Sequence, residues 1–194
     1  SIHMVEVVRS CPELCRFCLA SYLTLPFRTP SLEDGLIPAV EVGLAATQRL
    51  GLLGASVTQH PQFAELLSWL DGERFEGVRL SVSSVRAATV TPQLGRILAK
   101  RGSKSLTIAI ESGSERMREV VNKKLATEEI FAAARYAREG GLTGLKLYGM
   151  AGLPSEEEAD IEATASLLLD LKKATPGLRL SLGVSTFVPK AHTP

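Results

Sequence analysis

The feature that most constrains the fold of this chain is a repeated alternation of short apolar segments with longer amphipathic segments. Six short segments are predicted as strands: residues 5–8, 50–57, 78–83, 106–110, 145–150 and 180–187. Helical periodicity fills the stretches between them. Strands that alternate with helices form a parallel sheet, with right-handed crossovers between neighbouring strands. The sequence therefore predicts an α/β fold of six βα-type units.

Cap residues and prolines mark where several of these helices are expected to begin. They are Ser31, Pro61, Thr91 followed by Pro92, Thr127, and a capping box formed by Ser155 and Glu158. In the last helix we expect one buried apolar stripe, at Ile161, Ala165, Leu168 and Leu171.

Several predicted strands alternate polar and apolar residues, although a parallel strand covered on both faces usually reads as a continuous apolar run. The side chains expected on the polar side are Arg79, Ser81, Ser83, Thr107, Ala109, Glu111, Lys146, Tyr148, Met150, Ser181, Gly183 and Ser185. A polar concave face indicates a large ligand within the sheet. The alternative is a solvated face of an open sheet, which crossover helices on both faces would disfavour.

Composition excludes some classes of protein. The 194 residues carry 22 Lys and Arg against 21 Asp and Glu, a net charge of +1, which excludes a strongly basic nucleic-acid platform and an acidic tail but leaves a local basic patch open. We find no apolar run long enough for a transmembrane helix and no signal-peptide core, and we expect a cytoplasmic protein that does not interact with membranes. Residues 1–4 resemble a vector remnant and are left out of the fold prediction.

The three cysteines, Cys11, Cys15 and Cys18, all lie in one loop after the first predicted strand. An odd, clustered set does not suit a secreted disulfide scaffold. Three thiolates can hold a 4Fe–4S cubane that keeps one iron open, since such a cluster usually takes four cysteines. The alternatives are a zinc site with His60 or His192 as fourth ligand, and a redox pair of Cys15 with Cys18 that has no use for Cys11.

The C-x3-C-x2-C loop, with Phe17 directly before the last cysteine, resembles the signature of the radical S-adenosylmethionine (SAM) superfamily. The resemblance implies a partial (β/α)6 barrel of the TIM type whose three cysteines hold a 4Fe–4S cluster. It also implies that SAM chelates the open iron and that one electron from the cluster cleaves SAM to a 5′-deoxyadenosyl radical.

The stretch from Ile110 to Ser114 resembles the E-S-G-S segment of the branch that contains methylthiotransferases and cobalamin-linked enzymes. By this resemblance, Glu111 and Ser112 contact the ribose or the methionine part of SAM. Lys123 occupies the place of a family arginine that meets the cofactor carboxylate. The alternatives are a carboxylate that favours the dipole of the next helix for Glu111 and a solvated surface lysine for Lys123.

The resemblance extends to further residues expected near SAM or substrate. These are Phe17 near the adenine, Ser83 at the ribose or methionine part, Lys146 and Tyr148 facing the lumen, Gly152 in a G-x-P-x-E-like turn, and Val188 after the sixth strand. The family's Gly-Gly-Glu segment after strand two is absent, and backbone, Ser56 or Thr58 are expected to replace its contact.

We expect residues 5–194 to be a radical SAM core domain, without its closing helix, from a longer protein. The branch resemblance implies methyl or methylthio transfer, and a cobalamin-binding domain or an RNA- or peptide-reading domain outside this chain. It also implies an electron donor of the flavodoxin or ferredoxin type. The substrate stays open between RNA, a peptide and a small molecule. The alternatives to an enzyme core are a zinc-stabilised binding module and a catalytically degenerate cluster-binding domain on the same (β/α) scaffold.

Overall fold

The computed structural model describes residues 1–83 and 85–194. Within them the strands are β1 (His3–Glu6), β2 (Arg49–Leu53), β3 (Arg79–Val82), β4 (Ser105–Glu111), β5 (Gly144–Ala151) and β6 (Arg179–Thr186). The helices are α1 (Leu19–Leu23), α2 (Ile37–Leu44), α3 (Phe63–Leu70), α4 (Pro92–Lys100), α5 (Glu115–Val120), α6 (Thr127–Glu139) and α7 (Glu158–Ala174). The predicted six-strand α/β alternation is confirmed.

The strands form two parallel sheets of three strands each, in the orders β1-β2-β3 and β4-β5-β6. A parallel bridge between Val85 and Ile108 links the two sheets, and the Val85 N–H donates to the carbonyl of Thr107 at 2.9 Å. The strands therefore follow chain order across the molecule. Among the described residues they do not close into a barrel, which agrees with the predicted partial barrel.

One face of the sheets packs on the helices and forms the core. Leu80 of β3 and Leu145 and Leu147 of β5 are buried in one continuous cluster with Leu94 of α4 and Ile130 of α6. Burying a leucine side chain contributes about 1.5–3 kcal/mol. This layer of apolar contacts is what holds the strand ends in fixed positions.

The other face is polar and open, as the alternating pattern predicts. Ser81 of β3, Lys146 and Tyr148 of β5, and Ser181 of β6 are all exposed. They lie opposite the buried leucines because successive side chains of a strand point to opposite faces.

Two predicted helix starts are confirmed. Ser31 caps a π-helical turn that leads into α2, and its hydroxyl accepts a hydrogen bond from the Asp34 N–H at 3.2 Å. Thr91 caps α4 in the same way, accepting from the Leu94 N–H at 3.2 Å, with Pro92 as the first helical residue.

The starts of α3, α6 and α7 differ from the prediction. Thr127 is the first residue of α6, and the cap is Ala126, whose N–H donates to the Glu129 carboxylate at 2.8 Å. Pro61 lies outside α3, which begins two residues later at Phe63.

The last helix starts later than its sequence pattern indicates. Its cap is Glu157, whose N–H donates to the Asp160 carboxylate at 2.9 Å, whereas Ser155 lies in a left-handed turn with φ of 60°. The predicted stripe is confirmed at Leu171, which is buried, and Leu168 is partly buried, but it is wrong at Ile161, which is 56% exposed, and at the exposed Ala165. Leu167 is buried in their place.

The first two strands also have different bounds. β1 begins at His3, inside the segment that the sequence analysis leaves out, because Met4 pairs with Gly51 and the His3 ring bonds to the Ala39 carbonyl at 3.0 Å. β2 ends at Leu53 and not at residue 57.

Among the described residues, no helix combines the length and the apolar character that crossing a membrane requires.

Candidate active site

The three cysteines lie on the wall of one cleft, in the loop between β1 and α1. Cys15 is buried, and Cys11 and Cys18 are partly exposed. The loop follows the carboxyl end of β1, and the carboxyl ends of parallel strands are where α/β folds place their sites. The other predicted residues that line the same cleft are Phe17, Ser56, Ala109, Glu111 and Lys123.

The loop has a defined shape because backbone groups fix it. The Cys18 N–H donates to the carbonyl of Cys15 at 3.0 Å, which closes a turn. Leu14 has a φ of 54°, and its carbonyl accepts from the Asn122 side-chain amide and from the Tyr22 hydroxyl, each at 2.9 Å. These bonds attach the cysteine loop to the segment that follows α5.

A largely buried ion pair, which also lines the cleft, anchors the same loop. The Glu13 carboxylate lies 3.2 Å from the Arg86 guanidinium, and the two side chains are only 15% and 12% exposed. The Gln59 amide donates to Glu13 at 2.5 Å, and Arg86 also donates to the carbonyls of Lys123 and Lys124. Arg86 therefore connects the loop after β3 to the cysteine loop and to the segment that carries Lys123.

Glu13 and Arg86 are not among the site residues predicted from sequence. One signal was available for each: Glu13 lies between two cysteines, and Arg86 follows the carboxyl end of a predicted strand. What sequence cannot supply is the pairing, because the two residues are far apart along the chain.

Glu111 and Lys123 form a second ion pair inside the cleft. The Lys123 ammonium lies 2.7 Å from the Glu111 carboxylate, with side-chain exposures of 13% and 9%. Glu111 has a φ of 65°, and the β4–β5 register shifts between Ala109 and Glu111. Glu111 lines the same cleft as Cys15.

The electrostatic surroundings of Cys15 are mixed. The pKa of its thiol is raised to about 11: burial is the largest cause, Cys11, Cys18 and Glu111 also raise the pKa, and the neighbouring Lys123 ammonium opposes them. Without metal, this thiol is therefore protonated at neutral pH. Metal binding has to displace that proton, since the thiolate is the ligand.

The remaining residues of the E-S-G-S segment build the framework around Glu111. A Cβ on Gly113 would lie 2.3 Å from the Cα of Thr164, so only glycine allows this close approach to α7. Ser114 caps α5 and donates to Asp160 at 2.6 Å. Ser112 is buried, and its hydroxyl accepts from the Ser114 N–H at 3.1 Å.

The other predicted SAM and substrate residues lie outside the cleft wall. Ser83 donates to the Gly54 carbonyl at 3.2 Å, Tyr148 is 49% exposed on the concave face, and Val188 is 63% exposed. Gly152 has a φ of 80°, and its N–H donates to the Glu156 carboxylate at 2.6 Å. Their roles, like that of Ser112, stay predictions.

The segment after β2 contributes Ala55 and Ser56 to the cleft. Ser56 lines it and hydrogen-bonds to Gln59, whereas Thr58 is buried against Thr89 with 2.5 Å between the hydroxyls. His60 is also buried, and both ring nitrogens are engaged: Nε2 donates to the Pro30 carbonyl at 2.8 Å, and Nδ1 accepts from the Gln62 N–H at 3.0 Å.

The residues of the cleft fit an iron–sulfur cluster. Among the described residues, no group of three His, Cys, Asp or Glu side chains is arranged to hold a single metal ion. A cubane makes a different demand, because each cysteine sulfur binds its own iron, and soft thiolates favour such clusters. Cys11, Cys15 and Cys18 spread over one wall meet that demand.

The parallel α/β fold and the cleft with three thiols define the class of protein. A family model described as the radical SAM superfamily matches residues 5–168. The chain belongs to this superfamily, and the resemblance seen in the cysteine loop is confirmed.

Curated relatives extend the comparison. An uncharacterized protein of Methanocaldococcus jannaschii is 38% identical over 191 residues, which cover 98% of this chain and 41% of the relative. The tRNA-2-methylthio-N(6)-dimethylallyladenosine synthase of Chlorobium phaeobacteroides is 26% identical over 179 residues, or 87% of this chain and 39% of the relative. The chain thus spans about two fifths of the length of the curated relatives it matches.

Solved structures share the fold. The radical SAM methyltransferase TsrM from Kitasatospora setae superposes with a TM-score of 0.75 at 13% identity, covering 95% of this chain and 35% of TsrM. Coproporphyrinogen III oxidase from Escherichia coli gives a TM-score of 0.65 at 18% identity, covering 96% of this chain and 44% of that enzyme. At these identities the likeness shows the fold alone.

Proposed function

We propose that this chain is the catalytic core of a radical SAM enzyme, with a 4Fe–4S cluster held by Cys11, Cys15 and Cys18. The observation that carries the proposal is that one cleft brings together three thiols and a buried pair of opposite charges, Glu111 and Lys123. The cluster, when bound, supplies one electron that breaks the bond from the SAM sulfur to the 5′ carbon, which yields methionine and a 5′-deoxyadenosyl radical.

The chain's own residues bind and orient the cofactor. The methionine part of SAM carries an ammonium and a carboxylate, and the cleft offers the complementary carboxylate of Glu111 and ammonium of Lys123. In the cofactor-free chain these two groups neutralise each other at 2.7 Å. When SAM binds, its ammonium and carboxylate replace or join the Glu111–Lys123 pair. Each charged side chain therefore keeps an opposite charge beside it.

Phe17, Ala55, Val85 and Ala109 form the apolar part of the same wall. An aromatic ring beside the cysteines supplies a surface on which the adenine can stack. Apolar walls also keep water away from a reactive intermediate.

Hydrogen abstraction from the substrate, followed by methyl or methylthio transfer, is the proposed outcome. Its support is the similarity to a tRNA methylthio synthase and to a tRNA methylthiotransferase of Bacillus subtilis. An electron donor of the flavodoxin or ferredoxin type supplies the electron. Cobalamin, if used, binds outside this chain, and the substrate stays open between RNA, a peptide and a small molecule.

The test is anaerobic reconstitution with iron and sulfide, followed by dithionite and SAM, with 5′-deoxyadenosine measured by chromatography. We expect brown protein that releases 5′-deoxyadenosine, and a C15A variant that retains its circular dichroism spectrum but loses cluster and product. A colourless protein that holds one zinc, or a brown protein that never releases 5′-deoxyadenosine, would contradict the proposal.

A further inference from the structure

The Ser21 hydroxyl is a buried polar group without a partner. Ser21 lies on α1, one helical turn after Cys18, and is 0% exposed. Its backbone N–H donates to the carbonyl of Cys18 at 3.0 Å. Its side-chain oxygen has no hydrogen-bond partner within residues 1–83 and 85–194. Folded proteins rarely leave such a group unpaired, so its position calls for an explanation.

Other hydroxyls on helices of this protein do find partners. Thr24, at the end of α1, donates to the Ala20 carbonyl at 3.0 Å, and Ser68 of α3 donates to the Ala64 carbonyl at 2.9 Å. Each of them uses the carbonyl four residues earlier in the chain, which is the usual alternative for a hydroxyl on a helix. Ser21 does not bond to the corresponding carbonyl of Phe17.

The position of Ser21 indicates what its hydroxyl is for. Ser21 lines the cleft together with Cys11, Cys15 and Cys18. A hydroxyl is a hydrogen-bond donor as well as an acceptor, and reduced iron–sulfur clusters present electron-rich sulfur atoms. The unused donor therefore lies on the wall of the space that the proposed function assigns to the cluster.

Building on the proposed function, we propose that the Ser21 hydroxyl donates a hydrogen bond to a sulfur of the bound cluster, either a cysteine sulfur or an inorganic sulfide. Such a bond stabilises the reduced cluster, which carries the additional negative charge, and so raises the reduction potential. Ser21 is then a residue that tunes how easily the cluster accepts its electron.

The proposal does not extend to Ser10. Its hydroxyl is also buried, at 3% exposure, and also lacks a partner among the described residues. It is not part of the cleft wall, however, so the proposal is confined to Ser21.

The experiment compares the midpoint potential of the reconstituted cluster in four anaerobic proteins: wild type, S21A, S21T and S103A. S21T keeps the hydroxyl. Ser103 is the matched control, because its hydroxyl donates to the Leu80 carbonyl at 2.7 Å near the amino-terminal end of β4. The melting temperature of each cluster-free protein is measured in parallel.

We expect S21A to lower the midpoint potential by about 59 mV. For a one-electron couple, this makes the ratio of reduced to oxidised cluster about tenfold smaller at a fixed potential. S21T and S103A should stay near wild type. Cluster-free S21A should melt at or above the wild-type temperature, because it loses a buried hydroxyl that has no partner there.

An S21A potential equal to wild type, or a shift reproduced by S103A, overturns the role of Ser21 and leaves the proposed function intact. A cluster-free S21A that melts well below wild type also overturns it, because the hydroxyl would then be structural. Wild-type protein that binds no iron and sulfide overturns the proposed function itself. These failures are therefore distinguishable.

Discussion

At the scale of single residues, the cleft is lined by two largely buried ion pairs with different proposed roles. Lys123 and Glu111 are proposed to contact the cofactor, whereas Arg86 and Glu13 fix the cysteine loop, to which Glu13 belongs. Removing one member of a buried pair leaves the other charge uncompensated, which costs more than the pair itself contributes.

Replacing Lys123 by glutamine tests the first pair. We expect K123Q to lower the free energy of unfolding by about 1–3 kcal/mol, between the values for exposed and fully buried pairs, because Glu111 stays buried without its cation. SAM affinity of the reconstituted protein should fall at least about tenfold, which is a loss of about 1.4 kcal/mol.

The control is K124Q, because the neighbouring Lys124 is exposed. Chemical denaturation and equilibrium dialysis of SAM measure the two effects. Equal SAM affinity in K123Q, K124Q and wild type would show that Lys123 does not contact the cofactor.

Replacing Arg86 by alanine tests the second pair. In cluster-free R86A we expect the buried Cys15 to react with a thiol reagent about tenfold faster than in wild type. A tenfold change corresponds to a loss of about 1.4 kcal/mol in the free energy that keeps the cysteine loop closed. The matched control is R74A, which breaks the Arg74–Glu41 pair, with side chains 55% and 45% exposed. If R74A and R86A react at the same rate, Arg86 does not hold the loop.

The sequence identifies the residues with chemistry better than it identifies those that position them. Cys11, Cys15 and Cys18 are recognisable because their spacing in one loop is unusual. Ser21 and Arg86 are not, since a buried hydroxyl and a paired guanidinium become informative only when their three-dimensional neighbours are known.

At the scale of elements, the segment after β4 joins three parts of the molecule. Glu111 faces the cleft, Gly113 contacts α7, and Ser114 starts α5. The position of α7 and the position of the Glu111 carboxylate are therefore coupled.

Gly113 is the position where this coupling is most easily broken. The Cβ of G113A would meet the backbone of Thr164 at 2.3 Å and the carbonyl of Ala163 at 2.7 Å, so α7 has to move. We expect a loss of about 1–3 kcal/mol in unfolding free energy, the usual cost of overpacking. The control G144A places its Cβ 3.4 Å from the nearest atom and should cost less. Equal losses in denaturant titrations would contradict the close packing.

Asp160 makes the stability of this junction, between the segment after β4 and α7, depend on pH. Hydrogen bonds from Arg116, Ser114 and the Glu157 backbone lower the pKa of its carboxyl from 3.8 to about 2. A carboxyl with a lowered folded-state pKa stabilises the protein above its unfolded pKa, and this stabilisation is lost as the pH falls toward 2.

D160N should therefore be less stable than wild type at neutral pH, and the difference should shrink between pH 4 and pH 2. The exposed Asp170, paired with Lys173 on the same helix, supplies the control D170N. A difference between D160N and wild type that does not change with pH would contradict the role of the ionised carboxylate.

Element boundaries show what sequence patterns can and cannot resolve. Ser31 and Thr91 follow the simple rule of a hydroxyl at the helix start. At α7 the pattern is misleading, because Asp160 offers a better acceptor at the third position and Ser155 adopts a left-handed turn. Local patterns compete at helix starts, and only the folded chain decides between them.

At the scale of the whole molecule, the site draws on both sheets. The cysteine loop follows β1 of the first sheet, and Glu111 ends β4 of the second. In the hydrogen-bonding ladder, the bridge between Val85 and Ile108 connects the two sheets. The parallel architecture is predictable from the strand–helix alternation, whereas the bridge between Val85 and Ile108 is apparent only in the folded chain.

Whether Cys11, Cys15 and Cys18 hold a 4Fe–4S cluster is decided by the iron and acid-labile sulfide content per chain after anaerobic reconstitution. The account predicts about four irons and four sulfides per wild-type chain, as a cubane requires. It also predicts a near-complete loss of both in C15A. A wild-type chain that retains a single zinc and no sulfide would contradict it.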